Sequence, residues 1–462
     1  MPTARSPLPL ATRHSPLAPL PPIIVLDDDP TGSQTVHSCL LLTRWDVATL
    51  LEALDDTAPL FFVLTNTRGM DAERAAAVTR EVCHNLRLAL DERSRAGQPV
   101  HPLLVSRSDS TLRGHYPVET DVMAEELGPF DAHFLIPAFF EGGRITVDGV
   151  HYLMVNGTPV PVAETEFARD SVFGYRHSDL PRYVEEKTRG RIQAAQVERF
   201  SLSEVRAGCL DRLMGLTGNV CCVVDAERQS DLDRFAADLL AAASQGKRFL
   251  FRSAASLLTA LARLPPQPVP AAKMAAYVRS GRPGAVIVGS HVAKTTAQLQ
   301  RLLAQPGVAP IELDVGRLPA ERASLVAAVC QVAQEAHEAG LTPVIYTSRS
   351  ERRFASQAER LGFGEVVSAT LMDIVRGLPP TLGYLISKGG ITSNDVLSTG
   401  LALRTARVVG QILAGCSVVR CPPDHPRYPE LPVVIFPGNV GDEDALAVVY
   451  QRLARLDIRA AA

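Results

Sequence analysis

Residues 23–33 constrain this chain more than any other stretch. Ile23-Ile24-Val25-Leu26 is an unbroken apolar run that leads straight into Asp27-Asp28-Asp29, and Pro30-Thr31-Gly32 follows. Such a run suits a strand covered on both faces, and the Pro-Thr-Gly forces a turn. The carboxylates are therefore expected at the carboxyl end of a buried strand, where open α/β sheets place their ligands. Three adjacent acids repel one another and hold their charge best beside a cation or hydrogen-bond donors. A solvated acidic loop is the plainer alternative, but it would not need a buried strand feeding it.

Short apolar runs then alternate with helical patterns. Strands are expected at 39–42, 60–64, 102–105, 134–136, 220–224 and 248–251. Helices are expected near 47–54, over 71–93 with Asp71 placed to begin it, from Pro117 through Glu126, and over 231–242. Residues 142–191 are less regular and read as loops and short elements. Leu264-Pro265-Pro266-Gln267-Pro268-Val269-Pro270 marks a linker. The alternation resumes with strands at 285–288, 344–346, 384–386 and 433–436. The expected fold is α/β in two domains, each a mostly parallel sheet flanked by helices. The expected bounds are 23–263 and 281–462, joined by a linker at 264–280, with the active site in the interdomain cleft.

Bulk properties exclude several classes of function. The chain has 462 residues, too many for one ordinary domain. A formal net charge of −3 offers no general attraction to nucleic acid or anionic membranes. No apolar run reaches membrane-span length. The eight cysteines lack the paired spacing of a zinc site, and this reads as a reduced, intracellular pattern. Residues 1–22 are proline-rich, too broken for a signal-peptide core, and are expected to be a flexible tail. The expected compartment is the cytoplasm.

Three junctions in the second half share one design, a strand followed by a glycine turn and a helix. They are Val288-Gly289-Ser290-His291, Ser387-Lys388-Gly389-Gly390-Ile391-Thr392-Ser393, and Pro437-Gly438-Asn439-Val440-Gly441-Asp442. Glycine lets the backbone approach a ligand and aim successive N–H groups at an anion. Ser290, Thr392 and Ser393 add hydroxyls, and Lys388 adds a charge. Any one of these turns is equally well an ordinary connection; three together favour a phosphate or nucleotide site. No Walker A motif occurs, and no G-x-G-x-x-G follows a strand, which weakens a dinucleotide reading.

In the first half, Asp109 and Arg113 share the loop Arg107-Ser108-Asp109-Ser110-Thr111-Leu112-Arg113-Gly114. Arginine offers a planar fork of donors that fits a carboxylate, and Asp109, Ser110 and Thr111 can bond sugar hydroxyls. Equally, Ser110 and Thr111 can satisfy local backbone groups and Arg113 a nearby acid. Arg144, in Gly142-Gly143-Arg144-Ile145-Thr146, is a further candidate anion contact. His133, His151 and His177 carry no spacing argument and read as structural. One lobe with carboxylates and an Arg/hydroxyl loop, and another with anion-binding turns, suits phosphoryl transfer in the cleft between them.

These residues resemble the four-carbon acid sugar kinases. The family's Asp-Asp-x-Thr-Gly is matched by Asp28-Asp29-Pro30-Thr31-Gly32, and its Lys-x-Asp-Ser-Thr-Leu-Arg-Gly loop by residues 107–114. Its Pro-Ala-Phe and Gly-Arg-x-Thr segments are matched by Pro137-Ala138-Phe139 and Gly143-Arg144-Ile145-Thr146. Its Gly-Gly-x-Thr turn is matched by Gly389-Gly390-Ile391-Thr392, and its last glycine turn by Pro437-Gly438-Asn439-Val440-Gly441. The resemblance implies an amino-terminal acid-sugar-binding domain and a carboxy-terminal ATP-binding domain. It puts Ser290, Gly389, Gly390, Ile391, Thr392 and Gly438 on ATP, and Asp28, Asp29, Asp109 and Arg113 on the substrate side. Arg107 departs from the family's lysine, keeping the charge but not the geometry. Residues 1–22 and 172–191 look like additions to a compact member.

The expected reaction is ATP-dependent phosphorylation of a terminal hydroxyl on a small sugar acid. Arg113 clamps the carboxylate, Ser110 and Arg144 add substrate contacts, and Asp29 or Asp109 orients or accepts the hydroxyl proton. Mg²⁺ bridges the phosphates with few protein ligands, so no dedicated metal site is expected. The expected partners are the sugar acid and ATP, without nucleic acid or membrane, and a homo-oligomer is compatible with the sequence. The alternatives are an NAD(P)-dependent sugar-acid oxidoreductase and a non-catalytic sugar-acid sensor.

Overall fold

The computed structural model describes residues 21–455, apart from 350–353, 355 and 439. The tail expected over 1–22 lies, but for its last two residues, outside the described residues. The amino-terminal half contributes strands β1 (Ile23–Asp27), β2 (Cys39–Leu42), β3 (Leu60–Leu64), β4 (Leu103–Arg107), β5 (Ala132–Ile136), β6 (Arg144–Val147), β7 (Val150–Val155), β8 (Thr158–Pro161), β9 (Glu198–Phe200), β10 (Val220–Val224) and β11 (Phe249–Ser253). The carboxy-terminal half adds β12 (Ala285–Val288), β13 (Val308–Leu313), β14 (Thr342–Thr347), β15 (Leu385–Lys388), β16 (Thr405–Leu413), β17 (Cys416–Arg420) and β18 (Pro432–Phe436).

The apolar run in β1 does what it predicts. All five of its residues are buried. Ile23 and Val25 pack into one apolar cluster, and Ile24 and Leu26 into another. The same split separates Phe62 from Phe61 and Val63 in β3. Side chains alternate across a strand, so two clusters mean a sheet with both faces covered by helices. The helix Ala72–Arg95 starts where expected, with the Asp71 carboxylate accepting from the Arg74 N–H at 2.8 Å. The helix Val118–Leu127 differs by one position, because Pro117 caps it rather than occupying its first turn.

The mostly parallel α/β character is present, with one feature periodicity did not reveal. The two halves are hydrogen-bonded into a single 15-stranded sheet, ordered β13-β14-β12-β15-β18-β17-β16-β2-β3-β1-β4-β11-β5-β10-β9. Every neighbouring pair is parallel except β2–β16, β16–β17 and β17–β18. The seam is β2 against β16, where Leu41 lies opposite Ala406. Two register shifts interrupt the β16–β17 ladder around Gly410, and such bulges increase local twist. The proline-rich segment between the halves is pinned to the seam: the Gln267 side chain donates to the Gln411 carbonyl at 3.0 Å and accepts from its N–H at 2.9 Å.

Residues 142–191 hold more order than expected. β6, β7 and β8 form a separate three-stranded antiparallel sheet. Its turns are Asp148-Gly149 and Asn156-Gly157, all four residues at positive φ. Asp-Gly and Asn-Gly are the standard tight-hairpin pairs, and they were the available signal. The strands themselves are half-exposed, so their apolar pattern is weak.

Candidate active site

Parallel register brings the polar strand ends together. Asp27 of β1 lies opposite Arg107 of β4, and Arg107 opposite Ser253 of β11. Asp27 is fully buried, with Arg107 Nη1 3.5 Å from its Oδ1 and its Oδ2 lacking a hydrogen-bond partner. Burial pushes its carboxyl up to about 8, against the pull of Arg107. Gly32 sits directly on it: a β-carbon there would lie 2.0 Å from Asp27 Oδ2. Asp27 is thus a covered acid whose neutral form burial favours, in keeping with its place outside the matched motif.

Asp28 and Asp29 differ sharply. Asp28 is 1% exposed, and both its oxygens are engaged. Arg68 Nη2 holds Oδ1, while Arg68 Nε and Ser108 Oγ lie 3.3 and 3.0 Å from Oδ2. Asp28, expected on the substrate side, is buried and holds three hydrogen bonds from Arg68 and Ser108. Asp29 keeps 21% side-chain exposure. Its Oδ1 accepts from the Thr31 N–H at 2.9 Å and the Thr31 hydroxyl at 2.5 Å, and its Oδ2 from Arg68 Nη1 at 3.2 Å. Burial alone would raise its pKa, but Arg68 and Thr31 hold the carboxyl below the ordinary range.

The network extends through residues that sequence reasoning passed over. Arg252 of β11 is buried, paired with Glu119, and donates to Ser106 Oγ at 2.6 Å and Ser108 Oγ at 2.7 Å. Gly114, at φ +120°, leaves room for this: a β-carbon would meet Ser108 Oγ at 2.6 Å and Arg252 Nη2 at 2.7 Å. Arg68 had one available signal, its place just past β3, the parallel neighbour of β1.

The 107–114 loop is held by His151 of β7 and by two tyrosines of the 172–191 segment that looked like an addition. Consecutive carbonyls of Ser110, Thr111 and Leu112 accept from His151 Nε2 (2.8 Å), Tyr175 Oη (2.7 Å) and Tyr183 Oη (2.8 Å). His151 is structural, as expected; burial lowers its pKa to about 4 and keeps it neutral. The loop borders a small pocket lined in part by Ser108, Asp109, Leu112, Arg113, Tyr183 and Arg252. Arg113 is not a free fork. Its Nε pairs with Asp109 Oδ2 at 2.8 Å, its Nη1 lies 3.9 Å from Asp170, and its face covers Phe167 at 4.9 Å. Burial would raise the Asp109 carboxyl, but Arg68, Arg113 and Thr111 hold it well below the usual range. Ser110 is buried, and Arg144 stands at the start of β6.

In the other half, the three glycine turns converge. A β-carbon on Gly289 would strike Thr392 Oγ1 at 2.3 Å, and one on Gly389 would lie 3.2 Å from Ser290 Cβ. Gly438 faces Ser290 Oγ at 3.7 Å by the same measure. Thr295 Oγ1 donates to the Gly438 carbonyl at 3.2 Å, and Arg349 to the Ser290 carbonyl at 2.6 Å. Lys388 is fully buried; its Nζ donates to the carbonyls of Pro437 (2.5 Å) and Gly438 (3.2 Å) and lies 4.1 Å from the Phe436 ring centroid. Burial lowers its pKa to about 7. Ile391 projects from the lip, 69% exposed.

The two clusters meet. A β-carbon on Gly390 would stand 3.5 Å from Asp29 Oδ2. The carboxylate that retains an open face therefore lies against the glycine turn of the opposite half. Among the described residues, no group of three or more His, Cys, Asp or Glu could hold a metal ion, and no helix is long and apolar enough to cross a membrane.

Residues 23–261 match a family model described as a sugar-binding N-terminal domain, and residues 285–446 one described as a nucleotide-binding C-terminal domain. A D-erythronate kinase of Heliobacterium modesticaldum is 30% identical over 222 residues, 46% of this chain and 47% of that protein. A D-threonate kinase of Bordetella bronchiseptica is 31% identical over 169 residues, 35% of this chain and 38% of that protein. The chain thus spans less than half the length of either curated relative. Among solved structures, a Haemophilus influenzae protein from a domain family of unknown function aligns with a TM-score of 0.63 at 18% identity, over 93% of this chain and 100% of that one. A Salmonella typhimurium LT2 protein provisionally called a tRNA synthase aligns with a TM-score of 0.65 at 18% identity, over 93% and 98%. At that identity the likeness shows the fold alone. On the two matched domain models, in order and on either side of the Asp29 and Gly390 contact, the chain belongs to the four-carbon acid sugar kinase family.

Proposed function

We propose that this protein is an ATP-dependent kinase that phosphorylates a terminal hydroxyl of a small, four-carbon sugar acid. The observation that carries the reading is the placement of Asp29, charged and part-exposed, against Gly390 of the glycine turns. A hydroxyl resting on Asp29 would lie between the acceptor lobe and the turns. The names of the relatives, D-erythronate and D-threonate kinase, support the substrate class.

In this reading Asp29 orients the acceptor hydroxyl and takes its proton as the oxygen attacks the terminal phosphorus. The bond to the leaving ADP breaks, and a phosphorylated sugar acid remains. Phosphoryl transfer passes through a loose transition state, so a weak base suffices when it is well placed. Asp109 and the loop around it receive the other hydroxyls. Asp28 positions: it holds Arg68 and Ser108 where they support Asp29 and the loop.

The phosphates fit the convergent turns. Gly289, Gly389, Gly390 and Gly438 leave space that side chains would close, and Ser290 and Thr392 line it with hydroxyls. Bound Mg²⁺ supplies neutralisation of phosphate charge. Such an ion takes few protein ligands and keeps several waters. Lys388 fixes the turn at 437–438 from beneath.

The test is ATP consumption with a panel of tetronates, using the wild-type chain, Asp29→Asn and Arg113→Ala. Turnover on at least one tetronate is expected, lost in Asp29→Asn. A folded wild type that turns over no sugar acid sinks the reading.

A further inference from the structure

The acceptor lobe is crowded with arginines, and most are already spoken for. Arg68 pairs with Asp28 and Asp29, Arg113 with Asp109, and Arg252 with Glu119, while Arg107 Nη1 lies 3.5 Å from Asp27 Oδ1 and its Nε, like that of Arg144, is buried without an acceptor. Arg144 differs. Among the described residues, no carboxylate oxygen lies within 4.0 Å of its guanidinium. Its Nη1 donates to the Gly142 carbonyl, its guanidinium carbon lies 5.9 Å from the Phe139 ring centroid, and its Nε is buried with no acceptor. Arginine does not shed its proton at neutral pH, and a buried donor without an acceptor is costly.

Its placement is fixed from two sides. Arg144 and Phe139 exchange both backbone hydrogen bonds, at 3.0 and 2.9 Å, which ties Arg144 to the chain just past the carboxyl end of β5. Arg144 and Thr146 share one face of β6. Thr146 Oγ1 bonds His151 Nδ1 at 2.9 Å, and His151 Nε2 holds the Ser110 carbonyl. The face carrying Arg144 is therefore the one turned to the 107–114 loop. Burial lowers its pKa, and its charge couples to Asp109 and Arg113 of that loop and to Glu166. Gly142 makes the pose feasible, since a β-carbon there would lie 2.3 Å from Arg144 Nη1.

We propose that Arg144 is the residue that recognises the carboxylate of the acceptor, and so makes this lobe select sugar acids over neutral sugars. The proposal rests on the sugar-acid reading above and corrects the residue that reading would choose first. Arg113 already gives its Nε to Asp109 and lies near Asp170, so a second carboxylate there would meet two resident negative charges. Arg144 has no carboxylate within 4.0 Å among the described residues, Asp109 and Glu166 act on it only at longer range, and its charge suits a carboxylate.

The experiment is calorimetric binding of four-carbon aldonates, and of the matching tetritols, to the full chain without nucleotide. Wild type is compared with R144Q, R144K and R113Q, each checked for its melting temperature. Wild type is expected to prefer the aldonate to its tetritol. R144Q should weaken aldonate binding by about 10- to 100-fold while keeping tetritol binding and melting temperature. R144K should recover only part of the loss, since it restores charge without the fork. Aldonate binding unchanged in R144Q, a loss matched by a drop in melting temperature, or a wild type that binds no aldonate each overturns the proposal. ATP turnover measured in parallel separates the two claims. Aldonate binding through Arg144 without phosphorylation leaves this inference standing and removes the kinase reading; equal phosphorylation by wild type and R144Q does the reverse.

Discussion

Asp29 and Gly390 belong to opposite halves of the chain, yet a β-carbon on Gly390 would stand 3.5 Å from Asp29 Oδ2. One follows β1, the other follows β15, and the shared sheet through β2 and β16 carries the second to the first. The contact ties the acidic strand end to a turn shaped for anions.

Asp29→Asn keeps the shape of the side chain and removes the base. Turnover should fall by about 10²- to 10⁴-fold, with the KM for the acceptor little changed and the melting temperature preserved. A coupled ADP-release assay reads this. A variant that retains more than about a hundredth of wild-type turnover, the lower bound of such effects, would return the role to Asp109.

Gly390 has no positive φ, so its substitution strains no backbone; what matters is the space in front of it. Gly390→Ala adds a methyl at ordinary contact distance from Asp29 and should fold normally. Gly390→Val pushes branched carbons into the gap. Its kcat/KM for ATP should drop by about 10²-fold, the scale of misplaced reacting groups, with circular dichroism unchanged. Steady-state kinetics at varied ATP checks it, and an active Gly390→Val would mean the phosphates lie elsewhere.

Arg68 bridges Asp28 and Asp29, so Arg68→Gln should do two things. It strands the 1%-exposed Asp28 charge, costing about 3 kcal/mol of stability. It also removes the cation that holds the Asp29 carboxyl low. A lowered carboxyl titrates below its ordinary value, so wild-type activity should persist into acid. In Arg68→Gln the acid limb of the pH–rate profile should move to higher pH. Urea denaturation gives the first effect and a pH–kcat/KM series the second. An unmoved acid limb would sever Asp29 from catalysis or from Arg68.

Asp27 predicts a pH-dependent stability of opposite sign. Its carboxyl rises from 3.8 to about 8 on folding, chiefly through burial. Between those values the folded chain holds a proton that the unfolded chain has released. The stabilisation is full below about pH 4 and is lost as the pH rises through about 8. Asp27→Asn resembles the protonated acid in shape, which matters because Gly32 leaves no room for a larger group. Its stability relative to wild type should increase steadily from about pH 5 to about pH 9. Parallel urea midpoints for the two proteins across that range would contradict the assignment.

By itself the sequence determined β1, the acidic strand end and the order of alternating elements. Each rests on local chemistry: an apolar run long enough for a strand, and turn residues that stop it. It also marked the three glycine turns, since only glycine permits such close backbone approach. Tertiary structure decided which of these residues can act. Asp27, Asp28 and Asp29 are identical in type and adjacent in the chain, yet one is sealed under Gly32, one buried and held by Arg68 and Ser108, and one left open. Arg113 and Arg144 are likewise indistinguishable as residues, and their partners in the fold separate them: Asp109 and Asp170 for one, the Gly142 carbonyl for the other. The grip of His151, Tyr175 and Tyr183 on three successive carbonyls was equally out of reach. Periodicity reports which face of an element is apolar, but the charge state and freedom of a polar group depend on burial and partners, and those come from strands distant in sequence.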